Sequence, residues 1–204
     1  MSFFRIYQKP NIQLSNLDMK EFIDYGLYQY PTKRAFCKLY DETLIDENEV
    51  REFTNFDGEM RINKRVYKTF VENDFAYGSQ PHLDVESSLA TQVFSLNDNW
   101  DDEWGGHLYF YDYKDVSDEY KKIMKKLIVI SPQKEDVETW NQLKTKDAKF
   151  NYLYVYKMSS KNSILFKNGP LTWHGVGRTT KERTVLIVTY HDKNKKCEFG
   201  DWCT

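Results

Sequence analysis

NYLYVYKMSSKNSILFKNGPLTWHGVGRTTKERTVLIVTYH, residues 151–191, contains four short runs rich in β-branched and aromatic residues, punctuated by Gly, Asn and Pro. Such runs, bounded by turn formers, read as strands of a few residues each. Upstream, HLDVE (82–86), SLATQVFSLN (88–97) and GGHLYFYD (105–112) repeat the pattern, so the strand-rich region extends from about residue 81 to 191. Two charged segments interrupt it, DVSDEYKKIMKKL (115–127) and QKEDVETWNQLKTKD (133–147), and both read as surface helices or loops. A parallel βαβ fold fits poorly, because strands and helices do not alternate regularly. The pattern predicts a double-sheet β-sandwich or jelly roll.

The first part of the chain reads differently. Ser15-Asn16-Leu17-Asp18 followed by MKEFIDYG predicts a short helix stopped near Gly26. LIDENEVREFTNFDGEM (44–60), acidic at its start, predicts a second helix ending near Gly58. Between them RAFCKLYDE (34–42) reads as a strand. The expected fold class is therefore mainly β with N-terminal helices packed outside the jelly roll. No repeat or low-complexity linker divides residues 1–204, which predicts a single domain: a helical and mixed support over about 1–75 and a jelly-roll core over about 75–192.

Composition narrows the function classes. With 40% hydrophobic and 29% charged residues the 204-residue chain is globular in character, and 15 Tyr and 13 Phe favour strands. A formal charge of -2 gives no electrostatic case for nucleic acid or an anionic membrane as partner. No stretch approaches the roughly 20 apolar residues that span a bilayer, and the N-terminal MSFFRIYQKPNIQ lacks the apolar core of a secretory signal. Cys37, Cys197 and Cys203 are too few and scattered for a disulfide framework or zinc knuckle. A cytoplasmic protein is expected.

Four histidines are present: His82, His107, His174 and His191. His82 stands two residues before Asp84, and on a strand such positions face the same way, roughly 6.6 Å apart along the backbone. An imidazole and a carboxylate so placed can converge on one metal. Alone, His-X-Asp arises often by chance on exposed strands. A third element strengthens it. Folding LTWHGVGRTTKERTVLIVTY as a hairpin centred near Arg178–Thr179 sets His174 opposite Arg183, on one face of an antiparallel pair.

Two His and one Asp leave three facial positions of an octahedral ion open, as in non-haem Fe(II) oxygenases. An α-keto acid can chelate such a metal, leaving a position for O2. Its far carboxylate then needs a charged partner, and arginine offers a planar, permanently charged fork. Zinc competes on ligand type, but a zinc hydrolase has no need of the opposed arginine.

At these residues the chain resembles the Fe(II)/2-oxoglutarate-dependent dioxygenase superfamily, and within it the prolyl-hydroxylase-like branch, from about Phe75 to His191. Three segments carry the resemblance: YGSQPHLD, TQVFSLNDNWDDEWGGHLYFY and NSILFKNGPLTWHGVGRTTKERTVLIV. It implies a double-stranded β-helix with His82, Asp84 and His174 as metal ligands and Arg183 as the clamp on the distal carboxylate of 2-oxoglutarate. It also implies Thr91 in the pocket wall and Leu108 packed on the co-substrate. Two departures stand out. Ser95 occupies the place where such hydroxylases often have a Tyr bonding that carboxylate, and Val185 stands two residues after Arg183, where a hydroxyl partner is missing.

The resemblance implies Fe(II), 2-oxoglutarate and O2, with ascorbate as an accessory reductant. The implied reaction is hydroxylation of a C–H bond, favouring a prolyl or other protein side chain. A free amino acid or other small molecule is the alternative substrate. A non-catalytic metal- or ligand-binding jelly roll, and a cupin-like isomerase or hydrolase with another metal, are the alternatives to the reaction itself.

Other conspicuous residues read more plainly. The acidic run Asn97–Glu103 lacks the spacing of a calcium loop and reads as a solvated turn. Gly105-Gly106 reads as a turn device. If Leu108 faces the pocket, His107 faces away and is not a ligand. His191 ends the last strand and is expected to be exposed. Trp100, Trp173 and Tyr77 read as core, with the substrate cleft as the alternative place for Tyr77.

Overall fold

A computed structural model describes residues 3–8, 12–21, 23–24, 32–41, 46–71, 82–84, 87–112, 118–119, 152–169 and 172–195. The strands are β1 (Phe4–Gln8), β2 (Leu17–Met19), β3 (Ile23–Asp24), β4 (Thr32–Leu39), β5 (Met60–Thr69), β6 (Ser88–Ser95), β7 (Leu108–Tyr111), β8 (Tyr152–Tyr156), β9 (Asn162–Lys167), β10 (His174–Val176) and β11 (Arg183–Asp192). One α-helix, α1, covers Glu47–Thr54. The larger sheet runs β1-β9-β6-β11-β5-β4-β2, with β3 also paired to β4, and the smaller runs β10-β7-β8. All described pairings are antiparallel, and the architecture is mainly β and consistent with a jelly roll.

Strand β11 explains the design. It reads as a nearly continuous apolar run because it is central and buried on both faces. Its even positions, Leu186, Val188 and Tyr190, pack into one core with Phe94, Leu165 and the Val50–Phe53 face of α1. On its other face Val185 and Ile187 join Val93, Ile164 and Phe166 against Leu108, Phe110 and Tyr156 of the smaller sheet. That second core lies between the sheets.

The N-terminal helix expected after Ser15 is not found. Residues 14–16 form a single 3-10 turn, and β2 and β3 follow it. An isolated helix of two turns is marginal in water. Here Leu17, Asp18 and Met19 instead satisfy their backbone against Leu39, Lys38 and Cys37 of β4, burying Leu17 and exposing Asp18. The second expected helix is α1. Asp46 caps it by accepting from the Asn48 and Glu49 N–H groups, Glu47 and Glu49 sit in its first turn, and it stops at left-handed Asn55 rather than near Gly58. The strand expected over 34–42 is met by β4, which begins at Thr32 and ends at Leu39. The segment 133–147, most of 115–127, Tyr77, Cys197 and Cys203 lie outside the described residues. Among the described residues no helix is long and apolar enough to cross a membrane.

Candidate active site

Backbone pairing brings the two outer candidate ligands together. His82 and His174 form an isolated antiparallel bridge, with N–H to O distances of 2.8 and 3.0 Å in the two directions. Opposed residues project to the same side, and the two imidazole centroids lie 4.5 Å apart. Asp84 follows His82 by two residues and points its Oδ1 toward His174 Nε2, 3.8 Å away. One ligand atom from each of His82, Asp84 and His174 lies within 4.8 Å of the others.

The surroundings prepare these atoms for a cation. His174 Nδ1 lies 2.9 Å from the Thr172 carbonyl, so Nδ1 donates there and Nε2 is the nitrogen left facing Asp84. Phe166, with its ring centroid 4.7 Å from that of His174, walls the imidazole from one side. Thr91 Oγ1 donates to Asp84 Oδ2 at 2.6 Å, and Asn168 Nδ2 donates to Thr91 Oγ1 at 2.8 Å. One carboxylate oxygen is thus occupied and the other is free to turn to the histidines. Burial alone would raise the Asp84 carboxyl, but His174, His82, the Thr91 bond and Arg65 together hold it below the usual carboxylate range. Thr91 therefore acts on the candidate ligand Asp84. Groups that orient metal ligands are typically worth about 10–100-fold in affinity. Thr91→Val is expected to weaken Mn(II) binding by about that factor, read by equilibrium dialysis; unchanged affinity would remove Thr91 from the site.

Arg183 lies at the start of β11, on the face turned to the smaller sheet, and is 6% exposed. The expected hairpin with His174 is not formed. β10 pairs with β7, setting His174 opposite Phe110, while Arg183 pairs with Thr69 of β5. The segment between β10 and β11 crosses from one sheet to the other instead of folding back. Its backbone groups are taken by the 104–106 loop: Gly106 N–H to Arg178 O at 2.8 Å and Thr180 N–H to Trp104 O at 2.9 Å. Gly106, at φ 68°, also makes room for the arginine, since a Cβ there would stand 3.1 Å from Arg183 Cδ and 3.3 Å from Trp100.

Arg183 and the His82-Asp84-His174 cluster nevertheless line the same interior. On β11's inner face, Val185 opposes Ser95, and Thr189 opposes Thr91, the residue bonded to Asp84. Among the described residues the guanidinium meets only a soft acceptor, Met158 Sδ at 3.5 Å from Nη2, and its buried Nε has no partner. Burial pushes it down to about 10, which still leaves it charged at neutral pH. A buried cation without a carboxylate among the described residues suits an anionic ligand. Leu108, 3% exposed, packs in the intervening core with Val185 and Tyr156. Ser95 is buried, and its Oγ accepts from the Asn97 N–H at 3.3 Å.

The remaining histidines differ. His107 is outside the cluster: its Nδ1 accepts from the Met158 N–H and its Nε2 faces the Asp102 carbonyl, and burial lowers its pKa. His191, expected to be exposed, is 2% exposed. β11 continues past it to Asp192, so His191 falls on the interior face, between Ser87 Oγ and Thr189 Oγ1, and burial pushes it down to about 4. Arg61 and Arg65 of β5 were not anticipated. The alternation in MRINKRVYKT, with Met60, Ile62 and Val66 on one face and Arg61, Asn63, Arg65 and Tyr67 on the other, is the signal that marks them.

No family model matches the chain, and no curated protein matches it in sequence. Solved structures match through the fold, and the matches include 2-oxoglutarate/Fe(II) oxygenases, prolyl hydroxylases among them. A prolyl hydroxylase from Trichoplax adhaerens, in complex with a hypoxia inducible factor oxygen degradation domain peptide fragment, is 14% identical over 94% of this chain and 84% of that one, with a TM-score of 0.52. A Pseudomonas putida prolyl-4-hydroxylase is 12% identical over 84% and 77% of the two chains, with a TM-score of 0.48. HygX from Streptomyces hygroscopicus, with nickel and 2-oxoglutarate bound, is 14% identical over 94% and 84%, with a TM-score of 0.49. At these identities the likeness is one of fold.

Proposed function

We propose that this chain is an Fe(II)- and 2-oxoglutarate-dependent oxygenase that hydroxylates a C–H bond, built on a double-stranded β-helix. The observation that carries the reading is a pair of matched features on one interior wall. A two-histidine, one-carboxylate cluster converges within 4.8 Å, and a buried arginine with no carboxylate partner among the described residues lies farther along the same wall.

With iron and 2-oxoglutarate bound, the chemistry supplied is oxidation of a C–H bond by O2, coupled to decarboxylation of 2-oxoglutarate to succinate and CO2. The chain's own contribution is placement. His82, Asp84 and His174 hold the metal on one side, and Thr91 and the Thr172 carbonyl fix the orientation of two of them. Arg183 holds the distal carboxylate of the co-substrate through charge-assisted bonds. Phe110, Phe166, Leu108 and Val185 keep water from the wall between these groups. Ascorbate would serve only as an accessory reductant.

A prolyl or other protein side chain is one substrate reading, supported by the peptide complex of the T. adhaerens enzyme. A free amino acid or other small molecule is the second, favoured by buried guanidinium donors of Arg61 and Arg65 that meet no hydrogen-bond partner among the described residues. The deciding experiment needs no prime substrate. Protein loaded anaerobically with Fe(II) and 2-oxoglutarate, then exposed to O2, is expected to form succinate slowly. Absence of both succinate and 2-oxoglutarate binding would sink the oxygenase reading and leave a binding module.

A further inference from the structure

We propose that Arg61 and Arg65 form a second anion subsite beside the metal cluster, and that the prime substrate presents an oxyanion, a carboxylate or a phosphate, to it. Calling the occupant a substrate rests on the oxygenase reading; the subsite itself does not.

Strand β5 sets Arg61 opposite His191 and Arg65 opposite Ile187, with both on the interior face of the larger sheet. Arg65 leans along the sheet: its Nη2 donates to Thr189 Oγ1 at 3.1 Å, one pleat nearer to Arg61. Thr189 in turn opposes Thr91, which bonds Asp84. The two guanidinia therefore converge on the region of Thr189, His191 and Asp84. Both lower the pKa of His191, and Arg65 also helps lower that of Asp84.

Arg61 Nε and Nη2 and Arg65 Nε are buried without a hydrogen-bond partner among the described residues. A purely structural arginine carries its head to water and leaves its stem packed. Arg61 and Arg65 are only half-buried, but each turns part of its head inward. No carboxylate among the described residues pairs with either. Asp84 is committed to Thr91 and faces His174, and a bound divalent metal would offset its charge. His191, neutral with its ring nitrogens facing Ser87 and Thr189, brings no negative charge to offset them. Planar forks with free donors match carboxylate and phosphate oxygens. Arg183 lies at the far end of the same strand face, so the co-substrate clamp and this pair address two different anions.

The test is calorimetric titration of the metal-free protein with inorganic phosphate and, separately, with acetate. Wild type is expected to bind at least one of them. Arg61→Gln/Arg65→Gln is expected to bind it about tenfold more weakly or worse, the scale of one charge-assisted hydrogen bond. Tighter phosphate points to a phosphate ester, and tighter acetate to a carboxylate. In wild type, the same anion should slow phenylglyoxal labelling of Arg61 and Arg65, mapped by mass spectrometry, while exposed Arg178 labels as before; this arm needs no variant to fold. Equal affinity in the variant, no anion binding by wild type, or labelling unaffected by the anion would each overturn the subsite. A present subsite with no succinate formation would leave it standing and fell the oxygenase reading. An absent subsite with succinate formation would do the reverse.

Discussion

Replacing His174 with alanine is expected to abolish metal binding and succinate formation together. His174 is the pivot of the cluster, since its bridge to His82 aligns both imidazoles and its Nε2 faces Asp84 Oδ1 at 3.8 Å. Removing it leaves one imidazole and one carboxylate, which cannot hold an ion facially against water. Because residues that merely orient a ligand are typically worth about 10–100-fold, loss of the ligand itself should exceed about 100-fold. Two readouts separate this from misfolding. Co(II) titration followed by visible absorption reports the site directly, and thermal melting of the metal-free protein reports the fold. His174→Gln keeps most of the volume packed against Phe166 and the carbonyl-facing edge at Thr172, and should melt close to wild type while binding Co(II) poorly. A His174→Ala protein that still binds Co(II) and makes succinate would dissolve the proposed centre.

The parts of the fold that are legible in the sequence are those fixed by short-range rules. His82 and Asp84 share a face because a strand repeats every two residues. Asp46 and the glutamates after it mark α1 because an acidic N-terminus suits the helix dipole. The strands of 151–191 stand out because turn formers separate them. What escaped reading depends on partners distant in the chain. Whether LDM near residue 17 becomes helix or strand is decided by β4, which offers Leu39 and Lys38 as neighbours. The 177–182 connection looks like a hairpin turn, and only the loop at 104–106 draws it away to the other sheet. For the same reason the link between His174 and Arg183 runs not across one ladder but through an interior shared by two sheets. His191 looks like the polar end of a strand, yet the ladder to Arg61 and Ser88 carries it inside. Arg61 and Arg65 read as ordinary surface charges until β11 covers one side of their strand. A basic residue on an alternating strand is informative only once the buried face is known.

Arg183→Gln is expected to stabilise the protein without its co-substrate and to impair it with it. The guanidinium sits at 6% exposure with a thioether and, among the described residues, no carboxylate to answer it, and a pKa pushed down to about 10 keeps it charged. An uncompensated buried charge is a standing cost to the fold, and the neutral Gln removes that charge while keeping most of the side chain's length. The same charge becomes an asset once a carboxylate arrives, and truncating one partner of a buried charge pair costs about 2–5 kcal/mol, or roughly 30- to several-thousand-fold in affinity. The two effects have opposite signs, so a melting curve distinguishes them in one experiment. Wild type should gain melting temperature when 2-oxoglutarate and Mn(II) are added, because ligand that binds the folded state raises its stability. Arg183→Gln should start higher and gain far less. Arg183→Lys should fall between, keeping the charge but losing the planar fork. A variant that starts lower and gains as much as wild type would show that Arg183 serves packing alone. The distal carboxylate of the co-substrate would then need another cation on the wall, and Arg61 and Arg65 would be the first to test.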